Sequence, residues 1–246
     1  MSRMQQYIAA EHLKLKRTFT KKLVWLAPIV TLLLCTVLMG GHMFQSASYN
    51  WWYFMLLPGS LTLMCSGVIQ KDGKRLKYRA VLGMSVDLAQ VWYGKVGVCV
   101  RLLMVSFIIL FIGITLGEFV FSTSVTLAGS IAATLILFIT FLWQVPLCLF
   151  LTDRIGMFAT LIINMLGNVA CTVLFATSSV WWAVPYAIPA RLMCTVIQVL
   201  PNGLTVPSED PLLDKGVIVP GLVITICLFI ILSILTAMSF RKREAK

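Results

Sequence analysis

Six apolar runs, each close to the length that a bilayer requires, constrain this chain more than any other feature of its sequence. They lie at about residues 23–43, 51–69, 96–116, 127–151, 157–176 and 217–240. A transmembrane helix needs about 20 consecutive, mainly apolar residues. Only 12% of the residues are charged, whereas roughly a quarter are charged in a soluble domain. The sequence therefore predicts an all-α polytopic membrane protein with six transmembrane helices, in a single domain over residues 1–246.

The longest interruption of this pattern before residue 177 is the basic segment at residues 70–95. It contains two acidic residues, Asp72 and Asp87, against six basic ones: Lys71, Lys74, Arg75, Lys77, Arg79 and Lys95. The positive-inside rule places such a loop in the cytoplasm. We expect a turn at Asp72 and Gly73, a short basic helix over residues 74–82, and a second helix capped by Ser85. On this stretch alone, simple attraction of a basic loop to anionic membrane lipid is the favoured interpretation.

The first 22 residues are predicted to form an amphipathic helix at the cytoplasmic membrane surface. Met4, Ile8, Leu15 and Phe19 fall within one sector at helical spacing, and the basic residues lie mostly elsewhere. Glu11 falls inside the apolar sector and fits there only if a basic residue nearby pairs with it. The alternative, given equal weight, is a basic tail that only sets orientation.

The distribution of Lys and Arg predicts that both termini are cytoplasmic. Basic residues concentrate in the N-terminal tail, in the segment 70–95, at Arg154 and in the C-terminal tail. The first two loops on the opposite side contain none, and the last contains only Arg191 and Lys215. Because the net charge of +11 is concentrated at membrane borders, no nucleic-acid partner is expected.

Residues 177–216 are predicted to form an outer segment that is partly buried. Pro185, Pro189 and Pro201 interrupt a stretch that is too apolar for a free loop, which predicts short broken helices packed against protein before the last span. Aromatic residues at the outer borders are interpreted as interfacial anchors, the usual role of such belts. They are Trp51, Trp52, Tyr53, Trp181, Trp182 and Tyr186.

No catalytic or nucleotide-binding motif is present in the sequence. The two histidines, His12 and His42, are predicted on opposite sides of the membrane, and the chain contains no P-loop pattern. Six of the seven cysteines lie in apolar runs and none forms a Cys-x-x-Cys pair, so we interpret them as small buried hydrophobes. The chain is therefore predicted not to be an enzyme and to carry no metal or cofactor.

Polar side chains inside the predicted spans are few. Gln144 lies in the fourth span, and Asn164 and Asn168 lie four residues apart on one face of the fifth. Such residues usually face the bundle interior, where they line a substrate path or hydrogen-bond neighbouring helices; the second interpretation is favoured. No acidic residue falls midway through a predicted span, which argues against proton or sodium coupling within this chain.

The order of these elements resembles that of the permease subunits of ABC-2-type transporters, and more narrowly that of lantibiotic-immunity permeases of the MutE and EpiE group. The resemblance rests on AEHLKLKRT at 10–18, LAP at 26–28, YNWWY at 49–53, LPG at 57–59, the segment 71–82, GK at 94–95, WQVPLC at 143–148 and LPNG at 200–203. It departs from the broader pattern at one point. Gln70, Asp72 and Gly73 stand where ABC-2 permeases often have a Glu followed by a Gly.

The resemblance implies a heteromeric complex in the bacterial cytoplasmic membrane, formed with a second related permease and a separate pair of ATPase subunits that bind the ATP. It implies that a cytoplasmic coupling helix contacts the ATPase through Lys71, Asp72, Lys74, Arg75, Lys77, Tyr78, Arg79 and Leu82. The implied activity is expulsion of a cationic antimicrobial peptide, a lantibiotic, from the membrane, which gives self-immunity. The alternatives are a permease of this fold that exports a drug, lipid or ion, and a membrane assembly factor or integral-membrane enzyme.

Overall fold

The computed structural model describes residues 3–16, 18–39, 41, 43–76 and 87–242, with only the backbone at residue 3 and residues 73–76. Within these ranges the chain is helical and contains no strand. Six helical stretches are long and apolar enough to cross a membrane, which confirms the prediction of an all-α polytopic membrane protein. They are Phe19–Met39, Phe44–Asp72, Leu88–Gly117, Leu127–Ile155, Met157–Phe175 and Lys215–Arg241.

We number the helices in chain order. The first half contains α1 (Arg3–Lys14), α2 (Phe19–Met39), α3 (Phe44–Trp51), α4 (Leu57–Leu76) and α5 (Leu88–Gly117). A π-helical turn, Trp52–Leu56, joins α3 to α4. The second half contains α6 (Leu127–Phe141), α7 (Gln144–Ile155), α8 (Met157–Phe175), α9 (Ile188–Val196) and α10 (Ile218–Arg241).

Two boundaries in the basic segment differ from those expected from the sequence. The turn expected at Asp72 and Gly73 is wrong, because α4 continues through both residues to Leu76. The helix expected to start at Ser85 begins at Leu88, and its N-cap is Asp87, whose carboxylate accepts a hydrogen bond from the backbone N–H of Ala89 at 2.9 Å. Asp and Ser are equally good N-caps, so the residue type alone could not decide between them.

Proline and glycine positions explain where the fourth and fifth spans break. Pro146 has no N–H to donate to the carbonyl of Leu142, and the fourth span turns at residues 142–143, between α6 and α7. Gly156, with a φ of +87°, ends α7 and allows α8 to begin at the next residue. Glycine adopts this left-handed conformation without the steric cost that other residues incur.

The second span forms the centre of the bundle and the last span lies at its edge. In their most apolar windows, 67% of the residues between Phe44 and Asp72 are buried, against 17% between Lys215 and Arg241. Trp52 and Tyr53 are 0% and 1% exposed, so the interpretation of these two as interfacial anchors is wrong. The Trp52 ring instead packs edge-on against Phe107, with 5.7 Å between ring centroids.

The outer segment is broken and partly buried, as the sequence predicted. A single 3-10 turn, Trp181–Ala183, precedes α9, and every residue of α9 up to Thr195 is buried. Proline stands at the second position of α9, where its missing N–H has no helical acceptor to lose. Trp182, at 56%, is the one exposed residue among the three aromatic residues of this segment; Trp181 and Tyr186 are half-buried.

Candidate coupling site and interior polar network

Three elements meet at one end of the bundle: α1, the C-terminal end of α4 and the N-terminal end of α5. Two glycines of α5 allow α1 to approach closely. A Cβ at Gly94 would lie 3.0 Å from the Cβ of Tyr7, and one at Gly97 would lie 2.7 Å from Cδ1 of Ile8. Small residues at such crossings let helix backbones come together. The apolar side of α1 therefore packs against protein at these positions.

Four ionised side chains from these three elements form one connected group, the charge quartet: Glu11, Lys14, Asp72 and Lys95. The Nζ of Lys95 lies 3.0 Å from Oε2 of Glu11 and also binds the carboxylate of Asp72. The Nζ of Lys14 lies 2.6 Å from Oε1 of Glu11 and 3.1 Å from Oδ2 of Asp72. Each lysine therefore bridges both carboxylates.

The charge quartet is buried except at one member. The side chain of Lys95 is 0% exposed and those of Glu11 and Asp72 are 6% and 9% exposed, whereas that of Lys14 is 34% exposed. Two positive and two negative charges balance, as burial of ionised groups requires. Burial by itself lowers the pKa of Lys14, but hydrogen bonds and attraction from Glu11 and then Asp72 outweigh it and raise that pKa above its ordinary value.

Sequence reasoning missed the charge quartet because it assigned its members to different roles. Lys95 counted as one of the basic charges of the cytoplasmic loop, but it is fully buried. Asp72 was expected in a turn, but it lies in α4. The signal that could have found the site was Glu11, an acidic residue in the apolar sector of α1. The structure supplies both basic partners for it, three and 84 residues away along the chain.

The structure covers part of the coupling helix expected from the sequence. Lys71 is exposed and Asp72 is buried, both in the last turns of α4. Lys74 and Arg75 belong to the same helix by their backbones. The other four expected coupling residues lie outside the described residues: Lys77, Tyr78, Arg79 and Leu82. Through Asp72, the charge quartet therefore holds the start of the basic segment against α1 and α5.

A second polar group lies inside the bundle and contains two of the three residues considered for a substrate path, Gln144 and Asn164. The Nδ2 of Asn164 lies 3.1 Å from Oε1 of Gln144, 3.0 Å from Oγ1 of Thr62 and 3.2 Å from the carbonyl oxygen of Pro58. Its Oδ1 accepts a hydrogen bond from the hydroxyl of Tyr186 at 3.0 Å. Gln144 and Asn164 are both 0% exposed. These contacts support hydrogen bonding between helices as their role.

Asn168 compensates for a break in the helix that faces it. In the π-helical turn, the N–H of Leu57 donates to the carbonyl of Trp52, so the carbonyl of Tyr53 loses its ordinary donor. Pro58 has no N–H to donate to the carbonyl of Phe54. The Nδ2 of Asn168 donates to both carbonyls, at 3.1 Å to Tyr53 and 2.9 Å to Phe54.

The helix that provides these amides has its polar residues turned inward. The buried residues of α8 are Thr160, Asn164, Asn168 and Thr172, which recur every four residues. Its large apolar side chains point outward, with Phe158 and Leu174 exposed by 74% and 65%. In a bilayer such a helix presents hydrocarbon to lipid and is held to its neighbours by hydrogen bonds.

Arg191, expected as an outer-loop charge, is instead a buried structural residue of α9. It is 5% exposed, and its guanidinium donates to the carbonyl of Leu212 at 2.7 Å and to Oγ1 of Thr195 at 3.0 Å. It also lies over the ring of Trp181, 5.8 Å from the centroid. Burial lowers the pKa of Arg191 from its ordinary value, against the opposing effect of Cys194 and nearby carboxylates. Arg191 thus ties α9 to the loop that precedes α10.

At the end of the bundle opposite the charge quartet, an open cavity of about 770 Å³ lies between α2, α3, α8 and the loop at residues 200–204. None of the described residues that line it is charged; its walls are mainly apolar, with polar groups from Ser46, Asn50, Thr177 and Asn202.

Among the described residues, no group of three or more His, Cys, Asp or Glu side chains could hold a metal ion. All seven cysteines are free, and five are buried. No known protein-family model, curated protein or solved structure matches this chain. The fold and the two polar sites define a polytopic α-helical membrane protein with a buried charge centre at one end and a hydrogen-bonded interior.

Proposed function

We propose that this chain is the permease subunit of an ABC transporter and that a separate ATPase subunit docks at the end that carries the charge quartet. The observation that carries the proposal is the extension of α4. The 29 residues from Phe44 to Asp72 rise about 44 Å at ~1.5 Å per residue, beyond the ~30 Å of a bilayer core. From there α4 continues to Leu76, into the basic segment.

The charge quartet makes the extended end of α4 suitable for transmitting movement to the rest of the chain. Asp72 of α4 binds Lys95 of α5 and Lys14 of α1, so displacement of the end of α4 acts directly on two other elements. Coupling between sites needs such a contiguous, packed connection. The sequence contains no P-loop, and in this proposal the partner subunit hydrolyses the ATP.

The cargo we propose is a cationic antimicrobial peptide, expelled outward from the bacterial cytoplasmic membrane to protect the cell. This part of the proposal rests on the family resemblance. The structure bears on the route: Asn164 and Asn168 are engaged by other groups of the same chain. We therefore place the route at the interface with a second, related permease and not through the interior of this chain.

The test of docking is a triple charge reversal, Lys74→Glu, Arg75→Glu and Lys77→Glu, followed by co-purification with the ATPase subunit and by peptide-stimulated ATP hydrolysis. Like charges placed opposite each other at an interface cost several kcal/mol, so we expect both readouts to be lost. The spans satisfy their own backbone hydrogen bonds, so insertion should be retained.

The matched control is Lys16→Glu, Lys21→Glu and Lys22→Glu, three exposed lysines before and at the start of α2. It removes equal positive charge from the same side, and thereby controls for inverted orientation. If the first variant is correctly oriented and still binds the ATPase, the docking proposal is wrong.

Hydrolysis stimulated by a drug, a lipid or sodium, and not by peptide, would favour the alternative cargoes. Activity without any ATPase would favour an enzyme or assembly factor.

A further inference from the structure

The charge quartet joins three elements that are far apart in sequence, and one of them, α1, is held to the bundle differently from the others. The spans are long apolar helices, whereas α1 has only 12 residues. Its contacts with α5 include the close approaches of Tyr7 and Ile8 to two glycines and the ion pair between Glu11 and Lys95. The position of α1 thus depends on apolar packing against α5 and on buried charges.

The four charges depend on one another. If Asp72 loses its charge, Lys95 and Lys14 share the single carboxylate of Glu11, and one positive charge is left without compensation. A buried charge without a partner is strongly unfavourable. Movement of α1 away from the bundle relieves this, because it carries Lys14 toward water. A change at the end of α4 therefore acts on α1 through charge balance, without any change in apolar packing.

We propose that the charge quartet is a latch that holds α1 in its docked position. The negative charge of Asp72, at the end of α4, keeps α1 docked, and loss of that charge from the buried group releases α1. The docked state requires a balance of positive and negative charge in the buried group, not the presence of any one residue. Release exposes Lys95 and the Gly94–Gly97 face of α5. The latch does not depend on what the chain transports or on which partner it binds.

The test is amide hydrogen exchange of residues 7–14 in the purified full-length chain, in micelles of an uncharged detergent. Asp72→Asn changes one atom on a helix other than α1 and should accelerate exchange in α1 at least tenfold. Asp72→Asn combined with Lys14→Gln leaves the balanced pair Glu11–Lys95 and should return exchange most of the way to the original rate. Lys71→Gln, a change of the neighbouring exposed residue, should have no effect.

Unchanged exchange in folded Asp72→Asn overturns the proposal. An equal acceleration in the single and double variants also overturns it, because a merely local loss of structure would not be repaired by removal of a second charge. If Asp72→Asn fails to fold, Lys14→Gln alone decides the question. This substitution removes the positive charge of the partly exposed member and leaves the charge quartet with an excess negative charge. It should also accelerate exchange in α1, and unchanged exchange there contradicts the latch.

Discussion

The side-chain amide nitrogen of Asn168 lies 2.9 Å from the carbonyl oxygen of Phe54, which is the carbonyl that Pro58 leaves without a backbone donor. One residue of α8 thus repairs a helix break in the preceding half of the chain. The same amide also reaches the carbonyl of Tyr53, which the π-helical turn leaves free. A proline and a π-helical turn are therefore accommodated in the most buried span by a side chain from another helix.

Replacement of Asn168 by Leu should destabilise the fold, because two buried carbonyls lose their donor. An unsatisfied buried polar group costs about 1–3 kcal/mol, and we expect a loss of that order in SDS-induced unfolding from mixed micelles. Pro58→Ala restores one backbone N–H, so the double variant should lose less stability than Asn168→Leu alone. Equal losses would show that the amide does not act on these carbonyls.

Tyr186 and Trp182 should behave differently although both were expected to be interfacial anchors. Tyr186→Phe removes the hydroxyl that donates to Asn164 and should lower stability by about 0.5–1.5 kcal/mol, the net value of a typical hydrogen bond. Trp182→Ala, at an exposed position, should change stability by less than about 0.5 kcal/mol in the same unfolding assay. Lost resistance to peptide in stable Trp182→Ala would point to a ligand contact instead.

Gly67 should not tolerate a side chain, because α2 and α4 cross there. A Cβ on Gly67 would lie 1.8 Å from Oγ1 of Thr20, and overpacking of this kind costs about 1–3 kcal/mol. Gly67→Ala should therefore lower the thermal midpoint of unfolding in micelles. Thr20→Ala removes the overlapping hydroxyl and should recover part of the loss; no recovery would mean that the crossing adjusts in another way.

The orientation expected from the Lys and Arg distribution can be tested at two exposed positions. Lys71→Cys should react with a membrane-impermeant maleimide only after the cells are opened, and Glu209→Cys should react in intact cells. Of the native cysteines, only Cys227 is exposed, and it lies in the last span, where lipid shields it from an aqueous reagent. Reaction of residue 71 in intact cells would show that the orientation is the opposite of the one expected.

Features set by the local sequence were predictable, and features set by distant partners were not. Six apolar runs predicted six spans because a membrane helix satisfies its own backbone hydrogen bonds. The buried outer helix α9 followed in the same way from apolar residues and prolines. The burial of Lys95 could not be predicted, because its partners lie 84 and 23 residues away and only the fold brings them together.

The aromatic residues show the same limit. Trp52 stands at the outer border of a predicted span, where a tryptophan side chain suits both the membrane interface and the protein interior. The structure places it inside because the second span begins at Phe44, well before the apolar run does. Residues that looked terminal in the sequence are therefore internal in the helix.

The inward-facing asparagines of α8 also constrain how the chain is made. If α8 entered the membrane alone, Asn164 and Asn168 would be exposed to lipid, where unpaired polar groups are costly. Their acceptors, the carbonyls of Tyr53, Phe54 and Pro58, belong to a span that is synthesised more than 100 residues earlier. The acceptor carbonyls are thus synthesised before the asparagine donors, so the helix that carries them is already present when α8 is made.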